Sequence, residues 1–360
     1  MLFKKSSLAA AISLTLSTSV FAYHYNPSAP MKGEIMPIAD PSPRFEMSIA
    51  ALGLKAGASN LNYTIENKEL PTQSPSWTEK ELRPNYAWAF ELGGRYIFPE
   101  DMDVSFDWTH LNSSTSSSVH TPDGSYFIGP DYQIGPESLP VNDATGNVQF
   151  RYDVVNLDGG KYLDWGNHVR LHLFGGFSNA YLREQVTSVW SGTTGAPFTG
   201  PFSTRQTVIA DFFGLGPRFG FDASYNLDCG VGFMGEAAMS ALIGNSYAKT
   251  NFNSSAAELL SLFGQTSNPQ FIQDQNVTQV VPGFDAKLGV NYKYKFNRGV
   301  GLELAAGYEA AVYVNAINQY IPQSLVQPTT TGGIFVSTMS HTQSNYSVQG
   351  PFIKLAVKFA

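Results

Sequence analysis

The stretch 283–314 constrains the fold more than any other part of the chain, because apolar and polar residues alternate along two long runs. Even positions are apolar or aromatic from Phe284 to Phe296, and again from Val300 to Val314. Successive side chains of a strand point to opposite faces, so a period of two predicts two β-strands. The link between the runs ends in Gly299, which suits a tight hairpin turn.

The polar face of this predicted hairpin carries complementary charges. A turn centred on Arg298 places Lys293 opposite Glu303 and Lys287 opposite Glu309. Such cross-strand pairs stabilise a sheet by about 0.2–1 kcal/mol each. The hairpin therefore has one apolar face and one charged, paired face.

The length of the two runs favours a membrane environment for the apolar face. Strands of globular proteins usually run about 5–6 residues, whereas a bilayer-spanning strand needs about 9–11. The aromatic residues Tyr292, Tyr294 and Phe296 cluster at the turn end of the apolar face, as an interfacial girdle would. We therefore predict an all-β protein, a transmembrane antiparallel up-and-down β-barrel.

The N-terminus has the pattern of a secretory signal peptide. Lys4 and Lys5 precede an apolar segment, and Val20-Phe21-Ala22 forms a small-residue cleavage site. We predict a signal peptide over residues 1–22, a proline-rich leader over 23–43 and an outer-membrane barrel over 44–360. Charged residues make up only 14% of the chain and aromatics 13%, and the net charge of −7 argues against a nucleic-acid partner.

Alternating segments recur along the whole chain and predict ten strands. Short links at 99–101, 159–167, 226–228 and 297–299 alternate with long polar loops such as 112–146, 191–203 and 247–276. Bacterial barrels join an even number of strands by short periplasmic turns and long outer loops. Twelve strands remain an alternative if residues 61–65 or 180–190 form separate membrane strands. Pro217 removes a ladder donor within a predicted strand and implies a bulge there, and residues 256–263 suggest a short helix.

Two hairpins and the closing strand resemble the Legionella-type pore-forming major outer membrane protein family. The segments are residues 155–183 (VNLDGGKYLDWGNHVRLHLFGGFSNAYLR) and 212–244 (FFGLGPRFGFDASYNLDCGVGFMGEAAMSALIG), and the last strand ends Ile353, Leu355, Val357, Phe359. The resemblance implies a barrel in the outer membrane of a Gram-negative bacterium that forms a passive pore. It carries no set of functional residues with it.

The sequence offers no catalytic, cofactor-binding or metal-binding constellation. The six histidines have no paired-ligand spacing for zinc, and no G-x-S-x-G elbow is present. Asp107 and His110 near one strand end suggest a rim protease, but residues three apart in a strand point to opposite faces. The single Cys229 excludes an internal disulfide. We therefore expect no enzyme activity and no cofactor.

The charged residues of the polar faces are the candidate lumen-facing set. Two interpretations stay open: a polar channel lining that orients permeating solutes, or a self-neutralising network that fills a small barrel. The set comprises Glu91, Arg95, Asp103, Asp107, Arg151, Asp153, Arg170, Arg218, Asp222, Glu236, Asp285, Lys287, Lys293, Glu303 and Glu309.

Together these patterns predict a porin-like outer-membrane protein that allows passive diffusion of small hydrophilic solutes. The alternative is a cell-surface structural protein or adhesin whose barrel is filled by side chains and whose loops bind partners. In either case we expect contact with outer-membrane lipid and lipopolysaccharide, and assembly as a homo-oligomer stays open.

Overall fold

The computed structural model describes residues 44–67, 76–121, 127–129, 141–165, 168–194, 200–227, 230–255, 270–273, 277–296, 300–326 and 335–359. The predicted signal peptide (1–22), the leader (23–43), the short helix (256–263) and Cys229 lie outside these residues. Among the described residues, no helix is long and apolar enough to cross a membrane.

All regular elements of the described residues are strands. They are β1 (Arg44–Ala58), β2 (Asn62–Asn67), β3 (Trp77–Glu81), β4 (Ala87–Ile97), β5 (Met102–His120), β6 (Phe127–Gly129), β7 (Val141–Trp165), β8 (Val169–Thr194), β9 (Gly200–Asn226), β10 (Val231–Ser254), β11 (Gln270–Gln273), β12 (Val277–Lys295), β13 (Val300–Val326) and β14 (Phe335–Phe359).

Ten of these strands close an antiparallel barrel, which confirms the predicted fold and strand number. The hydrogen-bonded ring runs β1-β4-β5-β7-β8-β9-β10-β12-β13-β14, and β14 pairs with β1 to close it. The twelve-strand alternative is wrong, because residues 180–190 continue β8 and most of 61–65 falls in β2. Strands β2, β3 and β6 extend the sheet beside β7, outside the ring, and β11 pairs with β10.

The hairpin β12–β13 has the predicted register. Lys287 pairs with Glu309 and Lys293 pairs with Glu303 across the two strands. The backbone N–H of Phe296 donates to the carbonyl oxygen of Val300 at 2.8 Å and closes the turn. The alternation of residue type therefore placed the charges of both strands on one face.

The outer surface of the ring carries a continuous row of exposed apolar side chains, which we call the apolar band. Along β9 it runs from Phe213 to Tyr225. Twelve steps of about 3.3 Å, at a tilt of about 40°, span roughly 30 Å along the barrel axis, which matches a hydrocarbon core. Members on the other strands include Met47, Ile49, Leu92, Val104, Phe106, Leu157, Leu173, Phe177, Phe233, Met239, Ile243, Phe284, Leu288, Val290, Leu304, Ile353 and Leu355.

Polarity reverses along the strands where they leave the apolar band on the long-loop side. In β7, Leu157 and Leu163 point outward, whereas Phe150 and Tyr152 point inward and are buried. The strand keeps its alternation of faces throughout, so only the preferred location of apolar residues changes. Within the membrane the solvent of the outer face is lipid; beyond it the solvent is water, and apolar side chains turn to the interior.

The strands extend further than the sequence predicted, at the expense of loops. Strand β5 continues to His120 and β7 begins at Val141, so much of the predicted loop 112–146 is strand. Strands also occupy parts of the predicted loops and turn elsewhere. Strand β7 extends into the turn 159–167, β8 and β9 extend into the loop 191–203, and β10 and β11 occupy parts of the loop 247–276. Beyond the membrane the outward residues are polar, and their composition resembles that of loops.

The bulge predicted at Pro217 is absent, since β9 keeps one register with β8 and β10 on either side of it. The ladder between β9 and β10 only skips the pairs of Gly216 and Pro217. A Cβ on Gly216 would lie 1.8 Å from the carbonyl oxygen of Ala241, so glycine permits a close backbone approach here. Pro217 has no backbone N–H donor, but the register of β9 does not shift around it.

Candidate functional site: the charged interior of the barrel

Most of the predicted lumen-facing residues lie on the inner face of the barrel. Within the apolar band the alternation that turns apolar residues to the lipid turns the charged residues to the interior. The residues placed there are Glu91, Arg95, Asp103, Asp107, Arg170, Arg218, Asp222, Glu236, Asp285, Lys287, Lys293, Glu303 and Glu309.

Arg151 and Asp153 are a correction to the prediction, because both lie on the outer face. Their neighbours Phe150 and Tyr152 are buried inside the barrel, and 53% of the Arg151 side chain is exposed. The sequence argument assumed that apolar residues face lipid along the entire strand. Arg151 lies beyond the apolar band, where the rule is inverted.

Arg218 of β9 is the centre of the charged interior. Its guanidinium donates to Asp158, to Glu236 at 3.2 Å and to Asp285 at 2.8 Å. These carboxylates come from β7, β10 and β12, so one buried cation ties together three other strands. The ring of Phe174 covers the guanidinium at 4.9 Å from its centroid.

Lys287 of β12 is the centre of a second charged cluster, whose ion pairs reach across the lumen. Its ammonium group donates to Glu91 of β4 and lies 3.4 Å from a carboxylate oxygen of Glu309. Lys354 of β14 approaches the other oxygen of Glu91 at 3.5 Å. Glu91 is almost fully buried, and a buried carboxylate of this kind requires such cations.

A third cluster lies toward the short-turn end of the barrel. The two ring nitrogens of His172 lie 2.8 Å from Asp103 and 2.7 Å from Asp222. A carboxylate only accepts hydrogen bonds, so this geometry fits an imidazolium that donates from both nitrogens. Arg95 contacts Asp103 at 3.1 Å, and its Nη1 donates to Tyr162 at 2.5 Å.

Several residues of this interior were missed by the sequence prediction. They are Glu46, Asp158, His172, Lys354 and Lys358, of which Lys358 contacts Glu303 at 2.6 Å and Glu46 at 3.4 Å. Glu46 lies opposite Arg95 in register, and His172 lies opposite Asp222. Asp158, Lys354 and Lys358 alternate with outward apolar residues of their own strands. Following the inner face through each strand would have found them.

The charged interior encloses a cavity of about 120 Å³, which is room for several water molecules. Its lining includes eight acidic side chains, namely Glu46, Glu91, Asp107, Asp158, Asp222, Glu236, Asp285 and Glu309. Only four basic side chains line it, namely Arg95, Arg218, Lys287 and Lys354. The excess of acidic groups makes the cavity electrostatically favourable for cations.

An apolar plug fills the barrel on the long-loop side of this cavity. Its members are Leu52, Leu54, Leu111, Val148, Phe150, Leu182, Val186, Trp190, Phe212, Leu242, Val281, Ile317, Tyr346 and Val348. Phe150 of β7 and Tyr346 of β14 come from opposite sides of the ring, and their ring centroids lie 5.7 Å apart. The plug therefore closes the lumen in this conformation, from the outer edge of the apolar band toward the long loops.

One acidic side chain, Glu184 of β8, is buried within the plug. The amide of Gln319 donates to its Oε1 at 2.7 Å across the lumen. Burial raises the pKa of Glu184 to about 8, and the hydrogen bond from Gln319 opposes that rise. Glu184 lies beyond the apolar band and was not predicted as a candidate, because no local pattern marks it.

Asp107 and His110 lie on opposite faces of β5. Asp107 lines the cavity and accepts a hydrogen bond from Asn156 at 2.8 Å. His110 lies 2.6 Å from Asp153 on the outer face and packs against Phe90. The structure thus does not bring this pair together as the rim-protease hypothesis would require.

Fold and site define the class of the protein: a closed antiparallel β-barrel with a lipid-facing apolar band and a charged interior. Residues 38–359 match the model of the family described as Legionella pneumophila major outer membrane protein precursor. The chain belongs to this family, which places it in the outer membrane of a Gram-negative bacterium. The resemblance stated from the sequence is thereby confirmed.

Solved structures with similarity to the chain include the outer membrane protease OmpT from Escherichia coli, at 8% identity and a TM-score of 0.36, covering 91% of this chain and 98% of that chain. A Pseudomonas aeruginosa FadL homologue matches at 6% identity and a TM-score of 0.22, covering 88% and 90%. The P. putida toluene transporter TodX matches at 6% identity and a TM-score of 0.24, covering 89% and 90%. No curated protein matches the chain significantly.

Proposed function

We propose that the barrel is a narrow, intermittently open channel for small hydrophilic solutes, with a preference for cations. The observation that carries this proposal is the polar cavity at the level of the apolar band, with its excess of acidic side chains. Charged side chains that line a pore select ions by sign. The proposal includes no catalytic step.

The apolar plug is the barrier that sets the size of the conductance. Its aromatic and aliphatic side chains must move aside before ions reach the cavity from the outer side. Apolar constrictions of this kind gate by excluding water, and a ten-stranded barrel leaves a narrow interior. We therefore expect small, brief single-channel events rather than a permanently open pore.

The second candidate function is a cell-surface structural protein or adhesin with a filled barrel. The plug itself favours it, together with ion pairs such as Lys287–Glu91 that tie strands across the lumen. On this view the interior serves stability alone, and the outer loops carry any binding activity.

Planar-bilayer recordings of purified protein separate the two candidates. We expect small conductance steps for the unmodified chain and steps several-fold larger for Phe150→Ala, which removes a ring from the plug. The matched control is Phe219→Ala, which removes a ring from the lipid-facing side of β9 and should leave conductance unchanged. An electrically silent unmodified chain beside a conducting Phe150→Ala variant would establish the filled barrel, and silence of both would exclude a channel.

The preference for cations is tested by the reversal potential in a potassium chloride gradient. Asp107 lines the cavity, and among the described residues its side chain contacts Asn156 rather than a base. Asp107→Asn should therefore weaken cation selectivity without removing the ion-pair partner of a basic side chain. Asp143→Asn, on the outer surface beside His120, is the control and should not change it.

A further inference from the structure

Two arginines stand side by side on the outer face of the barrel. Arg151 of β7 and Arg183 of β8 are direct partners in the antiparallel register. Their side chains are 53% and 36% exposed. Like charges directly opposite each other destabilise a sheet. Asp153 and Asp211 offset part of that repulsion, and a bound anion in front of both guanidinium groups would offset the remainder.

The position of this pair along the barrel axis indicates which anion is available to bind it. Tyr181 lies two residues from Arg183 on the same face, and its partner across the ladder is the exposed Phe213. The arginines thus lie one row, or about 7 Å, beyond the aromatic row that Tyr181 and Phe213 form. Aromatic girdles mark the membrane interface, so this row is at headgroup level. It is on the side of the long loops, which face the cell exterior.

Neighbouring side chains hold both guanidinium groups in position. The Nε of Arg151 donates to Asp153 at 2.7 Å, and the guanidinium lies 5.4 Å from the ring centroid of Tyr181. Arg183 donates from Nη2 to Gln185 at 3.2 Å and lies 3.6 Å from Asp211. Within the described part of the chain, these contacts leave both terminal nitrogens of Arg151 for a ligand.

We propose that Arg151 and Arg183 form a binding site for a phosphate group of lipopolysaccharide, in the outer leaflet of the outer membrane. Arginine binds phosphate through parallel N–H donors. The exposed ring of Phe213 and the half-buried ring of Tyr181, one row below, suit the acyl chains of the same lipid. The site is independent of whether the lumen conducts.

Binding of purified full-length protein to deep-rough lipopolysaccharide, phosphatidylglycerol and inorganic phosphate tests the site, with native mass spectrometry as the readout. The double variant Arg151→Gln with Arg183→Gln should bind lipopolysaccharide at least tenfold more weakly. Lys55→Gln, an outward base on β1 away from the site, is the control and should bind normally. The double variant Arg151→Lys with Arg183→Lys keeps the charge and should retain part of the affinity.

Three results would overturn the proposal. The first is that the glutamine double variant binds lipopolysaccharide as tightly as the unmodified chain does. The second is that the double variant loses affinity for phosphatidylglycerol by the same factor as for lipopolysaccharide. The third is that the unmodified chain binds inorganic phosphate as tightly as it binds lipopolysaccharide. Thermal unfolding in lipopolysaccharide-free detergent gives an independent check that does not need the double variant. There Arg183→Gln should change the unfolding temperature little, because it removes both the repulsion from Arg151 and the exposed contact with Asp211. A marked loss of stability would contradict the proposed role, since Arg183 would then serve the fold.

Discussion

Glu184 is the residue whose protonation the fold perturbs most plainly beyond the membrane. Its pKa of about 8 lies above the ordinary value of 4.5, so between these values the folded state binds a proton that the unfolded state releases. Stability should therefore fall as pH rises from about 4.5 to 8 and level off above 8, a loss on the order of 5 kcal/mol.

The variant Glu184→Gln should remove this pH dependence, because an amide does not ionise. We expect it to match the unmodified chain near pH 5 and to exceed it in stability near pH 9, measured by urea unfolding in detergent. Tyr346 packs in the same plug but ionises at higher pH and does not contribute in this window. Equal stability of the two chains at pH 9 would show that Glu184 is not buried.

Arg218 is the cation on which the charged interior depends. Replacing it by Leu leaves Asp158, Glu236 and Asp285 without their shared partner. Breaking a buried network by removing one partner costs about 3–5 kcal/mol, so Arg218→Leu should lower the unfolding free energy by that amount. Arg205→Leu, on the exposed outer face of the same strand, should change it by less than about 0.5 kcal/mol. Similar values for the two variants would contradict the network.

At the scale of the strand, the sequence predicted alternation correctly but not the face of every segment. Hairpin β12–β13 obeys one rule along its whole described length within the membrane, so its register and its charged face followed from the residues alone. Strand β7 crosses the membrane boundary, and there the prediction that Arg151 and Asp153 face the lumen is wrong, because Val148, Phe150 and Tyr152 fill the interior. The signal was present, since Leu157 and Leu163 are out of phase with them.

Contacts across the lumen could not be predicted from the sequence, for a different reason. The pairing of Glu91 with Lys287, or of Glu184 with Gln319, depends on the stagger with which ten strands close. No local pattern encodes that stagger. The inner face of each strand could be predicted, but the partner on the far wall could not.

At the scale of the whole molecule, the barrel has two interiors stacked along its axis. A charged, water-accessible zone lies at the level of the lipid, and an apolar core lies above it toward the long loops. The apolar core resembles that of a water-soluble barrel and adds stability that the membrane zone does not provide. The same core closes the lumen in this conformation, so under the proposed channel function opening would cost part of that stability.

The central claim is that the membrane boundary crosses β7 between Arg151 and Leu157, and cysteine accessibility along that strand tests it most directly. In a Cys229→Ser background, single cysteines at positions 151, 150 and 157 would be labelled in intact outer membranes with a water-soluble and a lipid-soluble maleimide. We predict that position 151 reacts with the water-soluble reagent, position 157 reacts with the lipid-soluble reagent, and position 150 reacts with neither. Lipid-phase labelling at position 150, with position 151 shielded from water, would contradict the account.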